Sequence, residues 1–174
     1  MARYQVILAY DGTDFWGFQR QPGNVKRRTV QGVVEAALKQ LGWSGEKILA
    51  AGRTDTGVHA SGQVVAFDLD WQHDEDALLA ALNAHLPQDV AVWAVQRAAD
   101  DFHPRYAARS RCYEYRLFCQ PRRHPLLERY AWQRFEPHPE WVKPSGDARH
   151  IGAPFAAGIP GQVRLIYLYD PVLP

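Results

Sequence analysis

Cysteines and long apolar runs are scarce in this sequence, and each scarcity excludes a class of protein. Two cysteines, Cys112 and Cys119, are too few for a disulfide framework, and on one strand their odd spacing would point them to opposite faces. No apolar run approaches the roughly 18 residues of a membrane span. The short apolar stretch at residues 6–9 is not typical of a secretory signal. We therefore expect a reduced, cytoplasmic protein that is not embedded in a membrane.

The composition is that of a globular protein with an uneven distribution of charge. Its 174 residues, 47% hydrophobic and 22% charged, are enough for one domain, or for one domain and a small appendage. Of the 20 basic residues 16 are arginine, whereas residues 64–96 hold six acids and no lysine or arginine. A local excess of arginine suits an anionic partner such as RNA; the alternative is a solvated surface rich in arginine because of genomic base composition. The candidate RNA contacts are Arg20, Arg27, Arg28 and Arg105.

Hydrophobic periodicity predicts five strands and two helices within the first 120 residues. The helices are expected to begin after the N-cap residues Thr29 and Asp74 and to end at Gly42 and near His85. The strands are predicted at residues 4–10, 47–51, 63–69, 90–95 and 111–119. The order β-α-β-β-α-β of the first six elements predicts an α/β (α+β) fold of the ferredoxin-like type. In that fold both helices cover one face of an antiparallel sheet, and the other face is free for a substrate.

The sequence changes character after residue 120. Nine of the 12 prolines fall in residues 121–174, and residues 136–161 show no convincing period. Within this segment we predict a single strand, at residues 163–169, and otherwise a short irregular extension. The predicted domains are therefore residues 1–120 and a proline-rich extension, or a truncated remnant of a second half, at residues 121–174.

Residues 51–60, Ala-Gly-Arg-Thr-Asp-Thr-Gly-Val-His-Ala, form the segment with the clearest chemical potential. Asp55 lies two residues after Arg53 and two before Gly57, in a loop between two predicted strands. A carboxylate beside a fixed guanidinium stays ionised, as a nucleophile or base acting on a sugar carbon requires. The alternative is a structural turn in which Thr54 and Asp55 bond the backbone and Arg53 forms an ion pair.

The segment GRTDTGVHA resembles the motif of the bacterial tRNA pseudouridine synthase A family, in which the aspartate is catalytic. Thr56 stands where alanine is more usual. Further matches, in the order typical of that family, extend the resemblance over residues 4 to about 120. These matches are YDGTDFWGFQRQ (10–21), TVQ (29–31), GQVVAF (62–67), LPQDV (86–90), FHPR (102–105) and RCYEY (111–115).

The resemblance implies a reaction and three residues that perform it. Asp55 becomes the catalytic residue, Arg53 its partner in the space vacated by the flipped base, and Tyr113 the aromatic that stacks on the target uracil. The implied reaction is the isomerisation of uridine to pseudouridine in the anticodon stem-loop of tRNA (positions 38–40), by a homodimer without a cofactor. Strand alternation over residues 111–119 would place Tyr113, Tyr115 and Leu117 on one face. The loop aromatics Phe15, Trp16 and Phe18 are either RNA contacts or hydrophobic anchors.

The resemblance also leaves alternatives open, because family members are substantially longer. We find no counterpart of their helix F-x-x-x-M-V-R, and we hypothesise a shortened or frameshifted reading frame that diverges between about residues 136 and 146. One alternative function is a non-catalytic RNA-binding remnant of such an enzyme. A second is a metal-dependent hydrolase that uses Asp55, His59 and His103. The sequence lacks the spacing of a metal site, so no metal is expected.

Overall fold

The computed structural model of the protein describes residues 1–21, 27–134 and 165–168. Its strands are β1 Ala2–Tyr10, β2 Leu49–Ala50, β3 His59–Leu69, β4 Val90–Arg97, β5 Cys112–Tyr115, β6 Leu117–Cys119, β7 Trp132–Arg134 and β8 Leu165–Leu168. Its helices are α1 Val30–Gln40, α2 Glu75–His85, α3 Pro104–Ala107 and α4 Pro125–Glu128. The chain forms two compact units; the first contains β1 to β4, most of β5, and β8, and the second contains β6, β7 and α4.

The sheet of the first unit has the strand order β4-β1-β3-β8-β5, and β2 also pairs with β3. The pairs β1–β3, β1–β4 and β2–β3 are antiparallel. In contrast, β8 pairs with β3 in parallel, with His59 opposite Ile166 and Ala60 opposite Tyr167. The predicted mixture of helices and a four-stranded antiparallel sheet is therefore confirmed.

The two long helices form because their sequences supply a cap and an apolar stripe. The Thr29 side chain accepts a hydrogen bond from the Gly32 N–H at 3.3 Å, and Asp74 accepts one from the Ala77 N–H at 2.7 Å, as the N-cap predictions require. Gly42 follows α1 with a φ of +83°, a conformation that glycine adopts without strain. Both predicted caps and the predicted end of the first helix are confirmed.

The core lies between these helices and one face of the sheet. It is formed by alternate β1 residues, the apolar stripes of α1 and α2, and inward-facing residues of β3 and β4. Its largest fully buried side chains include Tyr4, Leu8, Leu38, Leu78 and Leu82. Burying such a side chain contributes roughly 1.5–3 kcal/mol each, so this layer holds the sheet rigid where its strands meet the loops. In the described part of the chain, no helix is long and apolar enough to cross a membrane.

Three predicted strands differ from those observed. The strand predicted at residues 63–69 begins at His59, because His59 and Ala60 pair with β8 and Ala60 also pairs with Tyr10 of β1. The strand predicted at residues 47–51 is reduced to Leu49–Ala50. The prediction of one strand over residues 111–119 is wrong: pairing partners change at Arg116, so that β5 belongs to the larger sheet and β6 pairs with β7. Alternation from Tyr113 therefore cannot be extended to Leu117.

The extension after residue 120 contains more regular structure than predicted. Helix α4 and strand β7 both lie within it, and β7 forms a parallel pair with β6. The Arg116 carbonyl accepts a hydrogen bond from the Trp132 N–H at 2.7 Å where this pairing begins. The strand predicted at residues 163–169 is present as β8. The irregular segment predicted at residues 136–161 lies outside the described residues.

Candidate active site

The loop that carries Asp55 connects β2 to β3 and is fastened at both ends by backbone and side-chain hydrogen bonds. At its start the Ala51 N–H donates to the Val64 carbonyl at 2.9 Å, and the buried Gln63 amide donates to the Gly52 carbonyl at 2.6 Å. At its end the Val58 N–H donates to the Asp55 carbonyl at 3.2 Å. Gly57 has a φ of +78°, which allows this turn. The loop therefore has a defined backbone path.

A second loop, residues 11–18, packs against the Asp55 loop along its length. The Phe18 N–H donates to the Thr54 carbonyl at 2.9 Å, and the Gly57 N–H donates to the Phe15 carbonyl at 3.3 Å. The Thr54 hydroxyl lies 2.8 Å from the Tyr10 hydroxyl, in a buried hydrogen bond. Phe15 and Phe18 are 1% and 2% exposed, so both are hydrophobic anchors under the loop. The backbone on both sides of Asp55 is thus bonded to a rigid neighbour.

Two glycines allow the loops to approach so closely. A Cβ atom on Gly12 would lie 1.9 Å from the Val58 carbonyl oxygen, and one on Gly17 would lie 2.8 Å from the Thr54 carbonyl oxygen. Gly17 also has a φ of +82°, which disfavours any other residue. Neither position can accept a side chain without displacing the backbone of the Asp55 loop.

The buried His59 fixes the junction between the two loops. Its Nδ1 accepts a hydrogen bond from the Gly12 N–H at 3.1 Å and lies 3.0 Å from Asp11 Oδ1. His103, in contrast, caps α3 by accepting a hydrogen bond from the Arg105 N–H at 3.2 Å. The metal alternative would require these histidines to meet Asp55, but no group of three potential metal ligands forms among the described residues.

Asp55 and Arg53 are exposed, whereas Thr54 between them is buried. This alternation directs both charged side chains to the solvent and the hydroxyl toward Tyr10. Within the described part of the chain, neither Arg53 nor Asp55 forms an ion pair, so the pairing of these two side chains expected from the sequence is absent. The structural-turn alternative is wrong for both, because neither side chain fastens the turn. The Asp55 carboxylate is available to a ligand.

Tyr113 lies on a strand that is attached to the Asp55 loop by a contact that the sequence did not predict. Arg111, which directly precedes β5, donates a hydrogen bond from Nη2 to the Ala51 carbonyl at 3.1 Å. The strand that carries Tyr113 is thereby attached to the first residue of the Asp55 loop. Tyr113 is 51% exposed, so its ring is accessible. A bond between residues 60 positions apart leaves no signal in local sequence patterns.

The four candidate RNA-binding arginines are in different electrostatic environments. Arg28 forms a bidentate pair with Asp89 at 2.6 and 2.7 Å, and this hydrogen bonding raises the pKa of Arg28 above its usual value. Arg20 lies 3.4 Å from Glu35. Arg27 and Arg105 are exposed and have no ion pair within residues 1–21, 27–134 and 165–168. Arg27 and Arg105 are therefore better placed to bind phosphate than Arg20 and Arg28.

The amino-acid sequence of this chain was compared with those of known proteins and protein families. A model of the tRNA pseudouridine synthase family matches residues 6–107, which include the Asp55 loop and the loop packed against it. The chain is 47% identical over 133 residues to "tRNA pseudouridine synthase A" of Streptococcus mutans serotype c, covering 75% of this chain and 52% of the relative. It is 43% identical over 132 residues to the protein of the same name from Pseudothermotoga lettingae, covering 76% and 53%. The chain thus spans about half the length of the curated relatives it matches. It belongs to the tRNA pseudouridine synthase family.

Proposed function

We propose that this chain isomerises uridine to pseudouridine in the anticodon stem-loop of tRNA, at positions 38–40, with Asp55 as the catalytic residue. The observation that carries the proposal is an exposed carboxylate on a loop whose backbone is fastened on both sides, within the segment that matches the family. A carboxylate on an ordered loop backbone can meet a bound sugar without reordering the loop. Tyr113 stacks on the target uracil, and Arg53 occupies the space that the flipped base vacates.

The proposed chemistry needs no cofactor because the reaction rearranges the atoms of one nucleotide with no net oxidation or reduction. The N1–C1′ glycosidic bond breaks, the uracil rotates, and a C5–C1′ bond forms while the C5 hydrogen is released as a proton. The Asp55 carboxylate either attacks C1′ and is displaced when the C5–C1′ bond forms, or removes the C2′ proton and later returns it. In both routes N1 takes up a proton in place of the one that C5 loses. Both routes require the uridine to leave the stack, at a cost of a few kcal/mol. An exposed acid, and an exposed aromatic side chain on the strand that Arg111 attaches to the Asp55 loop, suit an extruded nucleotide.

The test is tritium release from tRNA that carries C5-labelled uridine. Asp55→Asn is expected to lower the rate about 100-fold or more, because the amide cannot act as base or nucleophile. The variant should fold normally, since the carboxylate is exposed. Asp76→Asn, another exposed acid near the start of α2, is the matched control and should keep the wild-type rate.

A second candidate function is RNA binding without catalysis. It is favoured by the observation that the chain spans about half the length of its relatives. It predicts that the wild-type chain binds tRNA, releases no tritium, and is unaffected by Asp55→Asn. Rate loss confined to the Asp55 variant would contradict it.

Four further proposals complete this function. The order β4-β1-β3-β2, with antiparallel neighbours, supports the ferredoxin-like topology. We also propose that the chain divides into residues 1–120 and 121–174, which limited proteolysis would test. We further propose that the protein forms a homodimer, which light scattering would test, and that it is located in the cytoplasm, which cell fractionation would test.

A further inference from the structure

Trp16 is an exposed aromatic side chain beside the Asp55 loop. It is 51% exposed, whereas the flanking aromatics Phe15 and Phe18 are almost completely buried. An indole in water contributes little to the core, and exposed aromatic surface is typical of binding sites. The three aromatics of this loop therefore divide into two anchors and one side chain that is free to contact a ligand.

The backbone holds Trp16 close to Asp55. The neighbouring Gly17 packs so tightly that a Cβ atom there would lie 3.3 Å from the Asp55 carbonyl carbon and 3.4 Å from the Thr56 nitrogen. Trp16 itself donates a backbone hydrogen bond to the Arg28 carbonyl at 2.9 Å. Because one residue spans at most about 3.6 Å, the Trp16 backbone lies about one residue's length from the contact between Gly17 and the Asp55 loop.

Arg27 adds a positive charge to this surface. Its guanidinium carbon lies 4.1 Å from the centroid of the Trp16 ring, in a cation–π contact. The adjacent Arg28 is neutralised by Asp89, but Arg27 has no acidic partner among residues that the structure describes. The Arg27 guanidinium is stacked over the Trp16 ring, and the exposed remainder of the indole lies next to this uncompensated cation. That combination binds a base by stacking and its phosphate by charge.

We propose that Trp16 and Arg27 form a subsite for the unpaired nucleotide next to the target uridine. This inference rests on the proposed function, because it places the neighbouring nucleotide relative to a uridine held at Asp55. While Arg53 occupies the space that the extruded uridine vacates, the Trp16 indole stacks on the neighbouring base. The phosphate of the same nucleotide binds the Arg27 guanidinium.

The test measures binding of the full chain to an RNA hairpin with a uridine-containing seven-nucleotide loop. Trp16→Ala is expected to weaken binding between about 5-fold and about 150-fold, the range of one lost base stack. Trp16→Phe should retain most of the affinity because it keeps an aromatic face. Trp93→Ala, at a 61% exposed tryptophan on the edge strand β4, is the control and should bind as the wild type does. Circular dichroism melting verifies that each variant is folded.

A second measurement locates the nucleotide. A hairpin with 2-aminopurine beside the target uridine should lose fluorescence on binding the wild-type chain, because stacking on indole quenches it, and should remain bright with Trp16→Ala. Arg27→Gln should reduce the magnitude of the slope of log affinity against log salt by about 0.7, the value for one phosphate contact on a single strand.

The two readouts separate this subsite from the proposed function. Tritium release by the wild type together with unchanged hairpin affinity in Trp16→Ala would overturn the subsite and leave the isomerase proposal standing. Absence of tritium release with a Trp16-dependent affinity would overturn the isomerase proposal and support a nucleotide subsite. Absence of hairpin binding by the wild-type chain would overturn both.

Discussion

At the scale of single residues, the position of Asp55 depends on two buried side chains and a buried glycine. Thr54 turns inward to Tyr10, Gln63 holds the Gly52 carbonyl, and Gly12 leaves room for the Val58 carbonyl. Each contact restrains the backbone rather than the carboxylate itself. The acid therefore stays accessible while its main chain is fixed.

Gly12→Ala tests this dependence. The new methyl group would overlap the Val58 carbonyl, so the Asp55 loop must move, and a displacement near 1 Å can lower a rate about 100-fold. Gly42→Ala is the control: it imposes a strained φ but meets no atom within 4 Å. Both variants should lose stability in urea unfolding, but a lower tritium-release rate is expected for Gly12→Ala alone. Equal rates in the two variants would contradict the positioning role.

At the scale of elements, β1 and β3 are joined by a pair of charged side chains as well as by their backbones. Arg3 lies opposite Asp68 and donates two hydrogen bonds of 2.7 Å to its carboxylate. These bonds hold the pKa of Asp68 below its usual value, against the opposing effect of burial. The pair therefore stabilises the strands only while Asp68 is ionised.

The pH dependence follows from the direction of this shift. Because the folded-state pKa of Asp68 is depressed, its contribution is complete above the unfolded pKa, near 3.9, and is lost as the pH falls through the folded value. The difference in unfolding free energy between the wild type and Asp68→Asn should thus be constant between pH 5 and 7 and shrink below pH 4. Urea unfolding at several pH values measures it. A difference that persists unchanged to pH 2 would exclude this pair as the cause.

At the scale of the whole molecule, a net charge of +1 conceals an uneven distribution of basic and acidic residues along the chain. Several arginines are neutralised by acids, so the number of basic residues overstates the charge available to RNA.

We expect Arg105→Gln to weaken tRNA binding and to reduce the slope of log affinity against log salt by about 0.7–0.9 in magnitude. Arg28→Gln should instead mainly lower stability, because it leaves Asp89 without its partner. Filter-binding titrations at several salt concentrations test the Arg105 prediction, and urea unfolding tests the Arg28 prediction. A salt-independent affinity would contradict any phosphate contact.

The sequence predicts features that depend on neighbours along the chain. The caps Thr29 and Asp74 and both long helices are confirmed because their determinants lie within a few residues of each other. The break at Arg116 could not be predicted, since it arises where β6 pairs with β7, about fifteen residues further along the chain. In the candidate site, the roles predicted for Asp55 and Tyr113 come from the family resemblance. The sequence could not show that Phe15 is buried and Trp16 is exposed, because a loop has no hydrophobic periodicity.

The parallel pairing of β3 with β8 has a consequence for synthesis of the protein. His59 and Ile166 are neighbours in the sheet although roughly 100 residues separate them in the chain. A ribosome completes β1, β3 and β4 long before it adds β8, so the nascent sheet carries an open strand edge beside the Asp55 loop. Open edges recruit strands from other chains. The edge of β3 beside the Asp55 loop is therefore a place where a newly made chain is exposed to aggregation.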